Sequence, residues 1–137
     1  MKVVFAYDGS DHAKKALIFG SGLLGENAEI HIVTVAREVP REPESVIIES
    51  EERARKLLQE ARDTVKAKRV VTEYLVSNSV ADAIIDYCRQ IGCDMIVTGS
   101  RGLSRIKKAI LGSVSSELMA KSPVPVLVVK SSSENFY

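Results

Sequence analysis

Residues 95–116 read MIVTGSRGLSRIKKAILGSVSS. An apolar run ends at Thr98, glycines stand at Gly99 and Gly102, a basic segment intervenes, and Gly112-Ser113 opens a stretch of helical character. That order predicts a strand, a phosphate loop and a helix N-terminus. Glycine admits close backbone approach by a ligand, and the first N–H groups of a helix attract anions, so the stretch is expected to seat a phosphate. Arg101 is a candidate for neutralising that charge, whereas Arg105, Lys107 and Lys108 read as solvated loop cations.

Working outward, residues 2–7 (KVVFAY) form a continuous β-branched and aromatic run that stops at Asp8-Gly9-Ser10, the pattern of a buried strand meeting a loop. Ser10 or Asp11 caps the next helix, which keeps apolar spacing to about Leu24 and stops at Gly25. Residues 29–35 predict a second strand. A loop containing Pro40 and Pro43 leads to a charged amphipathic helix from Glu44 to about Lys68, with Ile47, Ala54, Leu57, Leu58, Ala61 and Val65 on one stripe. Mixed charge signs make this a solvated helix covering a sheet rather than a membrane-surface helix. Residues 70–76 predict strand three; Ser77-Asn78-Ser79 supplies a turn with a candidate N-cap for helix three, Val80 to Ile91, which Gly92 stops; residues 95–98 predict strand four and residues 113–121 helix four. A fifth strand spans residues 124–129, beginning at Val124 and ending at Val129.

Five apolar strands separated by helices predict an α/β domain with a parallel sheet covered on both faces. The strand order is left open by this pattern. In the common doubly wound arrangement, the ligand crevice lies where the carboxyl ends of strands one and four meet, bringing Asp8 to Gly99. There Asp8 either accepts ribose hydroxyls or caps the first helix.

The chain has 137 residues, 45% of them hydrophobic, enough for one cored domain over residues 1–130 with a polar tail at 131–137. Nineteen basic and eighteen acidic residues leave a net charge of +1, which argues against a nucleic-acid binder. The opening apolar run is too short for a signal-peptide core or membrane span, so a cytoplasmic protein without membrane attachment is expected. Cys88 and Cys93, spaced C-x4-C, are expected as reduced, buried thiols rather than a metal or redox site. His12 and His31 read as structural.

No Walker A motif is present, and the glycines do not follow strand one as a dinucleotide fingerprint requires. The pattern Gly99-x2-Gly102-x9-Gly112-Ser113, with the opening Tyr7-Asp8-Gly9-Ser10 and the ending PVPVLVV at residues 123–129, resembles the ATP-binding class of universal stress proteins. The resemblance covers nearly the whole chain. It implies a doubly wound five-stranded parallel sheet in the order 3-2-1-4-5 with helices on both faces, and an ATP in the crevice with magnesium or manganese held mainly by its phosphates. It also implies a homodimer along the fifth strands. Carried over by position, Asp8 and Val35 flank the adenosine, Thr98 and Gly99 line the ribose and α-phosphate side, and Gly102, Gly112, Ser113, Val114 and Ser115 hold phosphates. Two departures stand out: Ser77-Asn78-Ser79 replaces a Gly-x-Pro turn, and Thr98 is polar where members often carry a larger apolar residue.

The expectation is therefore an ATP-binding regulatory protein with the nucleotide as ligand or switch and no assigned catalytic residue or metal ligand. No acidic residue or histidine lies between Met95 and Ser116 to hold a metal for phosphoryl transfer. The alternatives are a slow ATPase or phosphotransferase using Asp8 and Arg101, and a dimeric interaction module with no nucleotide.

Overall fold

A computed structural model describes residues 1–101 and 112–130. The elements, in chain order, are β1 (Lys2–Ala6), α1 (Asp11–Leu24), β2 (Glu29–Arg37), α2 (Glu44–Asp63), β3 (Arg69–Ser77), α3 (Val80–Ile91), β4 (Met95–Gly99), α4 (Ser113–Lys121) and β5 (Val126–Val129). The strands form one five-stranded sheet in the order β3-β2-β1-β4-β5, and every neighbouring pair is parallel.

The central strands carry apolar residues on both faces because both faces are covered. Val3, Phe5 and Tyr7 of the β1 segment, with Ile30, Ile32 and Val97, pack against Ala13, Ala16 and Leu17 of α1 and Leu58 and Ala61 of α2. The alternate residues Val4, Val33 and Ile96 pack against Ala81, Ile84, Ile85 and Cys88 of α3 and Leu118 of α4. Period-two alternation thus sorts one continuous apolar run into two core layers. No helix among the described residues is long and apolar enough to cross a membrane.

Helix ends follow local chemistry. The Ser10 hydroxyl accepts from the Ala13 N–H at 3.2 Å to cap α1, and Ser79 does the same for Asp82 at 3.3 Å at the start of α3. Other boundaries shift. The α2 helix ends at Asp63 rather than near Lys68, and Ile47, expected on the buried stripe, is 42% exposed. The β5 strand starts at Val126, since Pro125 has no N–H to give and instead accepts Ile96 N–H at 3.0 Å through its carbonyl.

The cysteines depart from expectation: the structure joins Cys88 and Cys93 in a disulfide, with Cα atoms 4.9 Å apart. The cause is the end of α3. Gly92 adopts the left-handed conformation (φ 67°, ψ 47°), its N–H reaches the Arg89 carbonyl at 3.3 Å, and the Cys93 N–H reaches the Cys88 carbonyl at 2.9 Å. This double bond pattern folds the residue after the glycine back over the helix's final turn, so the two cysteines meet where a hydrophobic pair usually sits.

Buried His31 is structural, as expected. Its Nδ1 lies 2.7 Å from the Tyr87 hydroxyl and its Nε2 2.7 Å from Glu29 Oε2, with Arg69 Nε 3.3 Å from Glu29 Oε1. An ionised carboxylate only accepts, so Nε2–H donates to Glu29, and Nδ1 accepts from Tyr87. The hydrogen bond from His31, aided by the charges of Arg69 and Lys2, holds the Glu29 carboxyl below its ordinary 4.5, against a smaller opposing effect of desolvation. A carboxyl that is a stronger acid when folded stabilises fully above its ordinary value, and that stability is lost as pH falls through the folded value. Glu29→Gln is therefore expected to lower the urea midpoint at pH 7, with the gap to wild type closing in acid below 4.5. A gap that stayed constant down to pH 3 would rule out the ionised carboxylate as its source.

Candidate functional site

The β1 and β4 strands lie side by side but connect to helices on opposite faces, so their carboxyl ends leave a crevice between the Asp8–Ser10 loop and the start of α4. It is a cavity of about 290 Å³ lined by Asp8, Ala13, Thr98, Gly99, Arg101, Gly112, Ser113, Val114 and Ser115, with Ala6, Arg37 and Val80 completing the wall. That volume sits near the small end of ligand pockets, roughly 300–1,000 Å³.

Each wall has a local reason for its shape. Asp8 Oδ1 accepts the Ser10 N–H at 2.9 Å, which holds the loop open beside the helix that Ser10 caps. Asp8 is thus neither the cap of α1 nor buried, and its carboxylate stays on the crevice. Gly99 is needed for packing as well as for the crevice. A Cβ there would meet the His12 carbonyl carbon and oxygen at 2.8 Å and the Ala13 nitrogen at 3.1 Å, so only glycine lets α1 start against the end of β4.

Ser100, which the motif reading passed over, ties four elements together. Its N–H donates to the Val129 carbonyl at 3.0 Å, its hydroxyl lies 3.4 Å from His12 Nδ1, and its carbonyl accepts the Gly112 N–H at 2.7 Å and the Ser115 hydroxyl at 3.3 Å. Two assignments change as a result. The Gly112 amide is engaged with Ser100, and the buried Ser115 hydroxyl bonds the carbonyls of Ser100 and Gly112, the latter at 3.0 Å. Both residues shape this end of the crevice, and these donors are already engaged within the protein. Among the described residues, the start of α4 brings to the crevice its first-turn amides, which helix geometry leaves without intrahelical acceptors, and the exposed Ser113 hydroxyl, beside the guanidiniums of Arg37 and Arg101.

Thr98 is buried, with its hydroxyl 3.3 Å from the Gly99 carbonyl, so it forms floor rather than rim. The Val35 side chain belongs to the core layer of α3 and α4 with Ala6, Val80 and Val114, and is not on the cavity wall. Gly102 lies outside the described residues, as does the tail at 131–137. Arg37 was missed because it ends β2, two residues beyond the predicted strand; its signal was its place in phase with Val33 and Val35.

Fold and cavity together define a doubly wound α/β protein with a ligand crevice at the topological switch point. The chain belongs to the universal stress protein family, whose model matches residues 1–130. It is similar to universal stress protein YxiE of Bacillus subtilis, at 34% identity over 94% of this chain and 98% of that one. Among solved structures it resembles protein MJ0577 of Methanocaldococcus jannaschii, with a TM-score of 0.78 and 25% identity over 97% of both chains. A universal stress protein in complex with cAMP aligns with a TM-score of 0.75 and 26% identity, over 94% of this chain and 96% of its own.

Proposed function

We propose that this chain is a cytoplasmic regulatory protein whose domain, residues 1–130, binds ATP in the crevice as a ligand that biases a conformation or a partner interaction. The observation that carries the reading is the crevice itself: a carboxylate, a guanidinium and a helix start line one cavity at the switch point. The family neighbour solved with cAMP supports an adenine nucleotide as the occupant. Asp8 takes the ribose hydroxyls, Thr98 and Gly99 form the floor beneath the sugar, and Arg101 with the start of α4 takes the phosphates. A magnesium or manganese ion accompanying ATP is held mainly by those phosphates.

A second copy of the chain is the proposed partner along β5. That strand ends the sheet, its backbone faces outward on one side, and apolar Phe19, Leu23 and Met119 are exposed on the two helices that contact it.

Mass spectrometry of the natively purified protein is expected to find ATP, and ATP with magnesium at about 100 times its Kd is expected to stabilise the fold by roughly 2.7 kcal/mol. Absence of both effects would support the empty interaction module instead. Phosphate release of several turnovers per second, lost in Asp8→Asn, would support the ATPase reading and sink the purely regulatory one.

A further inference from the structure

The crevice has a second cationic wall that no motif announced. The β2 strand continues to Arg37 because β3 runs alongside it, pairing Ala36 with Val76 and Arg37 with Ser77. Alternation puts the Arg37 side chain on the face that Val33 and Val35 present to α3 and α4. Its Nη1 donates to the Asn78 carbonyl at 3.4 Å, which tethers the guanidinium to the turn before α3. Arg37 lines both the crevice and an adjoining cavity of about 140 Å³, and Val80, Ser113 and Val114 line both as well. The guanidinium therefore stands by the start of α4, reached from the β2 side, whereas Arg101 reaches the crevice from the end of β4.

We infer that Arg37 is a phosphate-binding residue of the crevice, gripping a phosphate of the bound nucleotide from the β2 side. The inference rests on the nucleotide reading above. The chemistry favours phosphate because a guanidinium presents five N–H donors in a planar fork, and the Asn78 carbonyl occupies only one position on it. Arg37 shares its surroundings with Ser113 and Val114, at the helix start where phosphate oxygens are favoured, rather than with Asp8 alone. Glu117, the carboxylate of the adjoining cavity, has Lys121 Nζ at 3.8 Å, a cation it shares with Asp82 at 3.6 Å. Two guanidiniums on opposite walls make the crevice selective for a charged nucleotide over the bare nucleoside.

Calorimetric titration of the full chain with adenosine, AMP and ATP, in wild type, Arg37→Ala and Arg37→Lys, tests this. In Arg37→Ala, AMP and ATP affinities are expected to fall roughly tenfold to a hundredfold, the worth of a charge-assisted bond, while adenosine affinity stays put. Arg37→Lys is expected to recover only part of the loss because a point charge cannot fork two oxygens. The salt dependence of ATP binding should also flatten in Arg37→Ala. Unchanged ATP affinity in Arg37→Ala would overturn the role of Arg37 while leaving the nucleotide reading intact, as would equal losses for adenosine and ATP. A wild-type chain that bound none of the three would overturn the nucleotide reading and this inference together.

Discussion

Replacing Phe5 with alanine is expected to destabilise the fold by roughly 3–5 kcal/mol while leaving the ligand affinity of the folded protein unchanged. Phe5 is 2% exposed on the central strand and is flanked in register by Ile32 on β2 and Val97 on β4. Its ring reaches α1 at Gly20, where a Cβ would stand 2.7 Å from Phe5 Cε2 and 3.2 Å from Val97 Cγ1. Truncation opens a void that Gly20, having no side chain, does nothing to fill. Gly20→Ala alone is expected to destabilise by crowding the ring, yet to recover part of the loss when added to Phe5→Ala. A double-mutant cycle by urea unfolding reads that change of sign. Equal effects of Gly20→Ala in both backgrounds would refute this packing account. Phe5 is not on the crevice wall, so loss of affinity in the folded variant would refute the separation of core from site.

Gly99→Val is expected to damage both stability and site. The atoms a Cβ would meet are backbone, belonging to His12 and Ala13, so relief requires the start of α1 to move. Overpacking of this kind costs roughly 1–3 kcal/mol, occasionally more, and a branched side chain falls at the upper end. Moving α1 also moves Ala13 and the Asp8–Ser10 loop, which sit on the crevice with Gly99 itself. Thermal unfolding with and without ATP should therefore show a lower midpoint and a smaller ligand-induced rise than in wild type. Phe5→Ala is expected to lower the midpoint and keep the rise. If Gly99→Val kept the full rise, Gly99 would be a packing residue only.

The contrast between these glycine and phenylalanine positions shows where sequence reasoning reaches. Helix starts at Ser10 and Ser79 and the stop at Gly92 were readable because capping is chemistry between neighbours in the chain. The places of Asp8, Gly99 and Ser113 on the crevice were readable for a similar reason: Asp8 and Gly99 stand where apolar runs end, and Ser113 opens a helix. Arg37 and Ser100 were not, because their positions depend on partners far off in sequence. The β2 strand reaches Arg37 only through its pairing with β3, and Ser100 matters through bonds to residues 112, 115 and 129. The roles given to Gly112 and Ser115 changed because proximity to a predicted phosphate does not say which acceptor a donor has already taken. The cysteines illustrate the intermediate case. The glycine stop was visible, but the six-residue turn that it closes, which brings Cys88 to Cys93, had to be built before the sulfurs could be seen to meet.

That turn lies at the amino end of β4, opposite the end where Thr98 and Gly99 line the crevice. A covalent link that closes so short a ring removes little freedom from the unfolded chain, about 2 kcal/mol against about 4.7 for a hundred-residue loop. The bridge is thus a local rivet between a helix and the strand that follows it, and the sheet does not hang from it. Opened by a reductant, the chain would keep its two core layers and the far end of β4, where Gly99 and Ser100 are fixed by contacts with α1, β5 and α4.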